Sequence, residues 1–196
     1  MSLFIETIKI EGGKAFNTDF HNQRMNLTRS HFFRKTTHIN INNIIKTTPY
    51  KKRTKCRIIY NENIISIEYI PYQIQPVTSL KLIEDNTLQY QWKKLDREAI
   101  TRLSSYRQDC DDILILKNGM VTDTSICNIA LFDGKKWITP NTPLLKGTQR
   151  ENLLKQKIIQ EAPINVKDIY KYEQICLFNA MINFEEIVLP TTKIYI

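Results

Sequence analysis

Lys93 and Asp123 are residues of the types needed to hold an aldehyde cofactor with a pyridine ring. Lys93 lies at the end of an extended segment, and Asp123 lies between two threonines. A lysine amine can form a Schiff base with an aldehyde, and a carboxylate can keep a pyridine nitrogen protonated. Each alone would be taken for a solvated charge or a turn residue, but their order and setting favour pyridoxal phosphate.

A phosphate-binding loop is predicted at Gly147-Thr148-Gln149, where a loop leads into a helix. Backbone N–H groups at a helix N-terminus bind phosphate, and glycine allows the phosphate to approach closely. Arg24, three residues after His21, carries the forked guanidinium that phosphate favours. Taken singly, the loop is also an ordinary loop-to-helix junction, and Arg24 is also an ordinary surface arginine.

The elements that must position these residues are short strands and few helices. The N-terminal half predicts strands at 4–10, 14–16, 56–60, 64–70 and 80–84, a helix with its N-cap within 17–19 that runs to about 33, and a short helix at 40–48. The C-terminal half predicts helices at 97–106, 147–161 and 167–171, hairpins at 113–123 and 129–138, and a buried strand at 175–182. This mixture indicates a two-lobed α+β protein, with an N-terminal lobe at 1–88 and a C-terminal lobe at 89–196.

Composition indicates an ordinary globular protein of the cytoplasm. Apolar residues make up 42% of the 196 residues, and no stretch is long enough to span a bilayer. Glu6 comes too early for a signal peptide. The four cysteines are widely separated and the three histidines match no metal motif, so we expect neither a disulfide framework nor a metal site.

The net charge of +8 raises nucleic acid as a partner. The densest basic run contains Lys51, Lys52, Arg53 and Lys55, with Tyr50 as its one aromatic neighbour. Because nucleic-acid surfaces ideally add stacking aromatics or a recognition helix, a solvated loop before a strand is the favoured interpretation. A basic surface would equally suit a small anionic substrate.

Six motifs, in order, resemble those of the fold-type-IV pyridoxal-phosphate enzymes, which include branched-chain and D-amino-acid aminotransferases and 4-amino-4-deoxychorismate lyase. They are Ile5-Glu6-Thr7-Ile8, His21-Asn22-Gln23-Arg24-Met25, Lys93-Lys94-Leu95-Asp96-Arg97, the segment from Val121-Thr122-Asp123 to Asn128-Ile129, Thr139-Pro140 with Leu145-Lys146-Gly147-Thr148-Gln149-Arg150, and Leu177-Phe178-Asn179-Ala180-Met181. Any one of them is weak, but the ordered set covers nearly the whole chain.

The resemblance implies a role for each candidate residue. Lys93 would be the Schiff-base lysine and Asp123 the acid at the pyridine nitrogen. The phosphate would be held by Arg24 and by the amides of Thr148 and Gln149 beside Gly147. Asn179 and Ala180 would line the cofactor pocket.

The resemblance also implies a D-amino-acid aminotransferase-like fold, with a small α/β N-terminal lobe and a β-rich C-terminal lobe that carries Lys93. It implies a homodimer acting on a small amino substrate, with pyridoxal 5'-phosphate as cofactor and neither nucleic acid nor membrane as partner. The reaction would be pyruvate release by a lyase or transfer of an amino group. Ala180, where aminotransferases often have a hydroxyl, slightly favours the lyase.

Two departures from the family pattern bear on activity. Asp123 replaces the usual glutamate and is one methylene shorter, and the hairpin that precedes the Phe-Glu-Thr strand in full-length members is not found. The alternatives to an active enzyme are therefore a family-derived scaffold without catalysis, or a basic nucleic-acid-binding module.

Overall fold

A computed structural model describes residues 2–196, which form two compact units. The first comprises residues up to Ile74 together with Trp92–Asp96, and the second comprises Gln75–Gln91 and Arg97–Ile196. This arrangement differs from the predicted single division between residues 88 and 89. In particular, Lys93 belongs to the first unit rather than to the C-terminal one.

The first unit is a four-stranded antiparallel sheet with one long helix. Its elements are β1 (Phe4–Glu11), β2 (Lys14–Ala15), α1 (Thr18–Phe33), β3 (Thr54–Tyr60) and β4 (Ile64–Pro71). The strand order is β2-β1-β3-β4. Gly12 and Gly13 both have positive φ, which closes the predicted two-residue hairpin between β1 and β2.

The core of this unit lies between α1 and one face of β1. Alternate β1 residues Phe4, Ile8 and Ile10 are fully buried, and Met25 of α1 packs in the same cluster. Burial in β1 is not strictly alternating, because Ile5 and Lys9 on its other face are also buried. One member of the alternation, Glu6, is a carboxylate rather than a hydrocarbon, and it too is fully buried.

The second unit contains two sheets and two short α-helices. Its elements are β5 (Leu80–Glu84), α2 (Glu98–Ser104), β6 (Asp112–Lys117), β7 (Met120–Thr124), β8 (Asn128–Phe132), β9 (Trp137–Pro140), α3 (Thr148–Lys155), β10 (Ile159–Ala162), β11 (Gln174–Phe178), β12 (Val188–Pro190) and β13 (Ile194–Tyr195). The strand orders are β10-β9-β8-β11-β12 and β13-β5-β6-β7. Short 3₁₀ turns cover Ile41–Asn43 in the first unit and Ser105–Arg107, Val166–Lys171 and Thr191–Lys193 in the second.

Three predicted elements are wrong in extent. The helix predicted at 147–161 ends at Lys155, because Lys157 takes a left-handed conformation and residues 159–162 become strand β10. The amides of Lys157 and Ile158 bond back to the carbonyls of Leu154 and Leu153, which is the bonding of a Schellman motif. Because this cap usually contains glycine, a lysine gave no signal for it.

The other two differences have local causes. The helix predicted at 40–48 is only a 3₁₀ turn, at whose start the Asn40 side chain accepts the amide of Asn42. The strand predicted at 175–182 ends at Phe178, because the Asn179 side chain accepts the amides of Met181 and Ile182. Both are short polar side chains that bond neighbouring backbone and so compete with regular structure.

Within residues 2–196 no helix is both long and apolar enough to cross a membrane. No group of three or more His, Cys, Asp or Glu side chains in this range could hold a metal ion. The four cysteines are free thiols, of which Cys56, Cys127 and Cys176 are buried.

Candidate active site

Lys93 is held by the backbone of β1. The Ile5 amide donates to the Lys93 carbonyl at 3.0 Å, and the Leu95 amide donates to the Leu3 carbonyl at 2.9 Å. Phe4 and Lys94 form an antiparallel bridge between these two bonds. The segment therefore adds a short strand-like partner to β1, and it fixes the backbone from which the half-buried Lys93 side chain projects.

Arg24 projects from α1 and is tied to Glu6 by two hydrogen bonds. Its Nε donates to Oε1 of Glu6 at 2.9 Å and its Nη2 donates to Oε2 at 2.5 Å. His21 Nδ1 lies 2.5 Å from the same Oε2. Since His21 and Arg24 are three residues apart on a helix, both side chains reach one carboxylate on the facing strand.

The electrostatics of this cluster follow from burial and pairing. Burial by itself would raise the pKa of Glu6, but the charge of Arg24 and the bonds from His21 and Arg24 lower it to about 2. Burial lowers the pKa of His21 despite the opposing bond to Glu6, and the positive charges of Arg24 and Lys93 lower it further. At neutral pH the cluster is thus an ionised Glu6–Arg24 pair with a neutral His21 donating to it.

Asp123 lies at the end of β7 in the second unit and is 5% exposed. Its Oδ1 accepts a bond from Asn128 Nδ2 at 2.8 Å, and its Oδ2 accepts one from the Leu145 amide at 3.0 Å. Burial raises its pKa to about 6, against the lowering effect of these bonds. In the described part of the chain no lysine, arginine or histidine nitrogen lies within 4.0 Å of this carboxylate.

Asn128 connects Asp123 with the glycine of the predicted phosphate loop. Besides its bond to Asp123, Asn128 Nδ2 donates to the Leu145 carbonyl at 2.8 Å. A Cβ added to Gly147 would lie 2.0 Å from Asn128 Oδ1. Position 147 therefore requires glycine because of close packing, not because of its backbone angle, since its φ is −72°.

Helix α3 begins immediately after Gly147. Thr148 and Gln149 occupy its first turn. Arg150, which is 1% exposed, anchors this turn: it donates to the Pro140 carbonyl at 2.9 Å and pairs with Glu161 of β10. The N-terminus of α3 is thus fixed to the ends of two strands.

Asn179 and Ala180 follow β11 and are partly buried. Asn179 Nδ2 lies 3.3 Å from both the Ile126 carbonyl and the Cys127 sulfur. Across the sheet Phe178 pairs with Asn128, so this turn lies next to the residue that holds Asp123. The second unit thus brings together Asp123, Gly147, the start of α3 and Asn179.

Sequence reasoning did not assign roles to Glu6, His21 or Asn128, although all three lie in the quoted motifs. A detectable signal existed for Glu6, because in the sequence of β1 this acid alternates with the apolar residues Phe4 and Ile8. For Asn128 the sequence held no signal, since its partners Asp123 and Leu145 come from two different segments.

The residues present suit the cofactor that the resemblance implied. Asp123 is a buried carboxylate whose bonding partners are both neutral, and a protonated pyridine nitrogen is a cation that would complement it. A forked guanidinium and the first amides of a helix are the donor types that proteins use for phosphate.

The chain is similar to known proteins in sequence and in fold. A family model for class IV amino-transferases matches residues 3–188. An uncharacterised protein of Haemophilus influenzae is 39% identical over 181 residues, covering 90% of this chain and 96% of that protein. A protein of Schizosaccharomyces pombe provisionally named aminodeoxychorismate lyase is 37% identical over 89 residues, covering 42% of this chain and 38% of its own length.

One solved structure is similar over almost the full length of both chains. It is a protein of Haemophilus somnus provisionally named 4-amino-4-deoxychorismate lyase, with 33% identity and a TM-score of 0.86, and the match covers 93% of this chain and 98% of that one. The expected two-lobed α+β fold is therefore confirmed.

We predict that Gly147→Ala destabilises the protein by about 2 kcal/mol, because the new methyl group displaces the Asn128 side chain. Urea unfolding measures the change. The matched control is the Asn128→Ala background, in which the same substitution should cost much less because the clash is gone. Equal costs in both backgrounds would show that Asn128 does not restrict position 147.

We also predict a pH dependence of stability that belongs to Asp123. Because its folded pKa of about 6 exceeds the ordinary value of 3.8, the folded state holds a proton that the unfolded state releases. The raised pKa of Asp123 adds to the free energy of unfolding in full below pH 3.8. This contribution, about 3 kcal/mol, is lost as the pH rises through 6. The difference in unfolding free energy between the wild-type protein and Asp123→Asn should fall by that amount from pH 3.5 to 7. If this difference in unfolding free energy did not change with pH, burial would not raise the pKa of Asp123.

Proposed function

The chain belongs to the class IV aminotransferase family, and from that premise we propose which reaction it catalyses and which residues carry it. It is a pyridoxal-phosphate-dependent enzyme that acts on an amino substrate. Within the family we propose the lyase reaction, the release of pyruvate from 4-amino-4-deoxychorismate. The names of the similar Haemophilus somnus and Schizosaccharomyces pombe proteins and the alanine at position 180 support this choice.

The observation that carries the cofactor assignment is the Asp123 carboxylate. It is buried, fixed by two neutral donors, and within 4.0 Å of no cationic side chain of the described chain. With a pKa of about 6 it is ionised at neutral pH, so it can hold a proton on a pyridine nitrogen. The replacement of the family's glutamate by aspartate is therefore compatible with function.

We propose that Arg24 and the backbone amides of Thr148 and Gln149 bind the phosphate group. Arg24 supplies a fixed positive charge, and Gly147 allows close approach to the start of α3. Asn179 and Ala180 line the pocket beside Asp123. These assignments follow the family's motifs residue by residue.

Lys93 would bind the cofactor's aldehyde and then serve as the acid and base of the reaction. When bound, pyridoxal phosphate supplies an electron sink that stabilises the charge left when the substrate's Cα–H bond breaks. Lys93 Nζ would take that proton and, as the C–O bond between the ring and the enolpyruvyl group breaks, would return it to the departing three-carbon fragment, which leaves as pyruvate while the aminated ring remains as the aromatic product. The positive charges of Lys93 and Arg24 both act on His21, so Lys93 and Arg24 contribute to the same electrostatic environment in the first unit.

We further propose that the chain acts as a homodimer, as the family resemblance implies, and that it is located in the cytoplasm. Sedimentation of the purified protein would test the dimer directly.

The test of the reaction is pyruvate release from 4-amino-4-deoxychorismate, followed by a lactate dehydrogenase coupled assay in the presence of pyridoxal phosphate. Lys93→Ala should lose at least about 10³-fold in kcat, because the proposed mechanism gives both the Schiff base and the proton transfer to this one amine. Lys94→Ala, an exposed lysine next in sequence, is the matched control and should retain activity.

Two outcomes would refute parts of this proposal. Amino-group transfer to a 2-oxo acid without pyruvate release would identify an aminotransferase instead. A wild-type protein that neither reacts nor binds the cofactor would support a scaffold without catalysis.

A further inference from the structure

Glu6 is a charged side chain in a position where the sheet otherwise places hydrocarbon. It is fully buried on the face of β1 that also carries Phe4 and Ile8. Such a position costs free energy unless the charge is paired and hydrogen-bonded. Here both of its oxygens are engaged, Oε1 by Arg24 Nε and Oε2 by Arg24 Nη2 and His21 Nδ1.

We propose that Glu6 is the positioning residue of the phosphate-binding arginine, with His21 holding the Glu6 carboxylate in place. This inference rests on the proposed function, in which Arg24 binds the cofactor's phosphate. Glu6 occupies the edge of the guanidinium formed by Nε and Nη2, and it fixes the plane and direction of the whole group. The His21 bond to Oε2 keeps the carboxylate from rotating away.

The energetic basis of the proposal is preorganisation. An arginine side chain loses conformational entropy when it is held in one geometry. If the phosphate had to order the arginine on binding, this loss would weaken phosphate binding. In this protein Arg24 is already ordered in the folded state, because it is only 14% exposed and is bonded to Glu6, which is fully buried like His21. Phosphate then meets a guanidinium that is already oriented.

The negative charge of Glu6 acts in the opposite direction. A carboxylate beside Arg24 cancels the positive charge that attracts a phosphate dianion. If this effect dominated, removing the negative charge would strengthen phosphate binding. The two effects therefore predict opposite signs for one substitution, which makes the proposal decidable by a binding measurement.

The experiment compares dissociation constants for pyridoxal phosphate and for pyridoxal, which lacks the phosphate, measured by absorbance titration. Glu6→Gln keeps the shape but cannot accept both arginine bonds, so it should raise the constant for pyridoxal phosphate about 10-fold. The constant for pyridoxal should change less than about 2-fold, because Arg24 contacts only the phosphate. In an Arg24→Met background, Glu6→Gln should have no further effect on pyridoxal phosphate.

A second pair of variants covers the case in which Glu6→Gln does not fold. His21→Asn retains a side-chain N–H donor near the position of Nδ1 and should bind pyridoxal phosphate as the wild type does. His21→Leu removes the donor and should weaken binding of pyridoxal phosphate about 3-fold, again without weakening pyridoxal.

Several results would overturn the inference. Tighter binding of pyridoxal phosphate by Glu6→Gln would show that Glu6 acts as a counter-charge. Glu6→Gln could instead weaken the binding of pyridoxal and pyridoxal phosphate equally, or His21→Asn and His21→Leu could bind pyridoxal phosphate equally well. Either result would show that Glu6 and His21 stabilise the fold but do not position Arg24. If the wild-type protein binds pyridoxal and pyridoxal phosphate with equal affinity, the role of Arg24 is refuted. If it binds neither ligand, the proposed function is refuted, and this inference with it.

Discussion

The buried ion pair between Glu6 and Arg24 is the constraint on which the first unit depends. A carboxylate on the core face of β1 must find positive and donor groups, and α1 supplies both from His21 and Arg24. This requirement fixes how α1 lies on the sheet, since shifting the helix by one residue would leave a buried charge unpaired. The backbone of the same strand, one residue earlier, holds the Lys93 segment. β1 thus positions both proposed contacts of the first unit.

Asp123, the buried carboxylate of the second unit, has the opposite electrostatic environment. Glu6 is paired with a cation, and its pKa falls to about 2, whereas Asp123 has only neutral donors, and burial raises its pKa to about 6. The first carboxylate is satisfied by the protein alone. The second is fixed in place by Asn128 and Leu145, and Arg150 acts on it only through space, so the Asp123 carboxylate can still pair directly with a protonated ring.

Local sequence patterns predicted the parts of the fold that depend on local chemistry. The Gly12-Gly13 hairpin and the β3–β4 pair follow from turn residues between strand segments, and the polar residues 17–19 predicted the start of α1. The end of α3 did not, because a lysine occupies a cap position where glycine is the usual signal. The candidate site shows the same limit. Ordered motifs predicted candidate residues, but the hydrogen bonds of Glu6 and Asn128 join segments far apart in sequence, and periodicity contains no information about such pairs.

The central claim is that Lys93 carries the cofactor, and covalent trapping tests it most directly. The purified protein, incubated with pyridoxal phosphate, should show visible absorbance that borohydride bleaches as it reduces the Schiff base. Peptide mass mapping should then find the added pyridoxyl phosphate on the peptide that contains Lys93 and at no other lysine. Stable labelling of a different lysine, or full absorbance and bleaching in Lys93→Ala, would contradict the account.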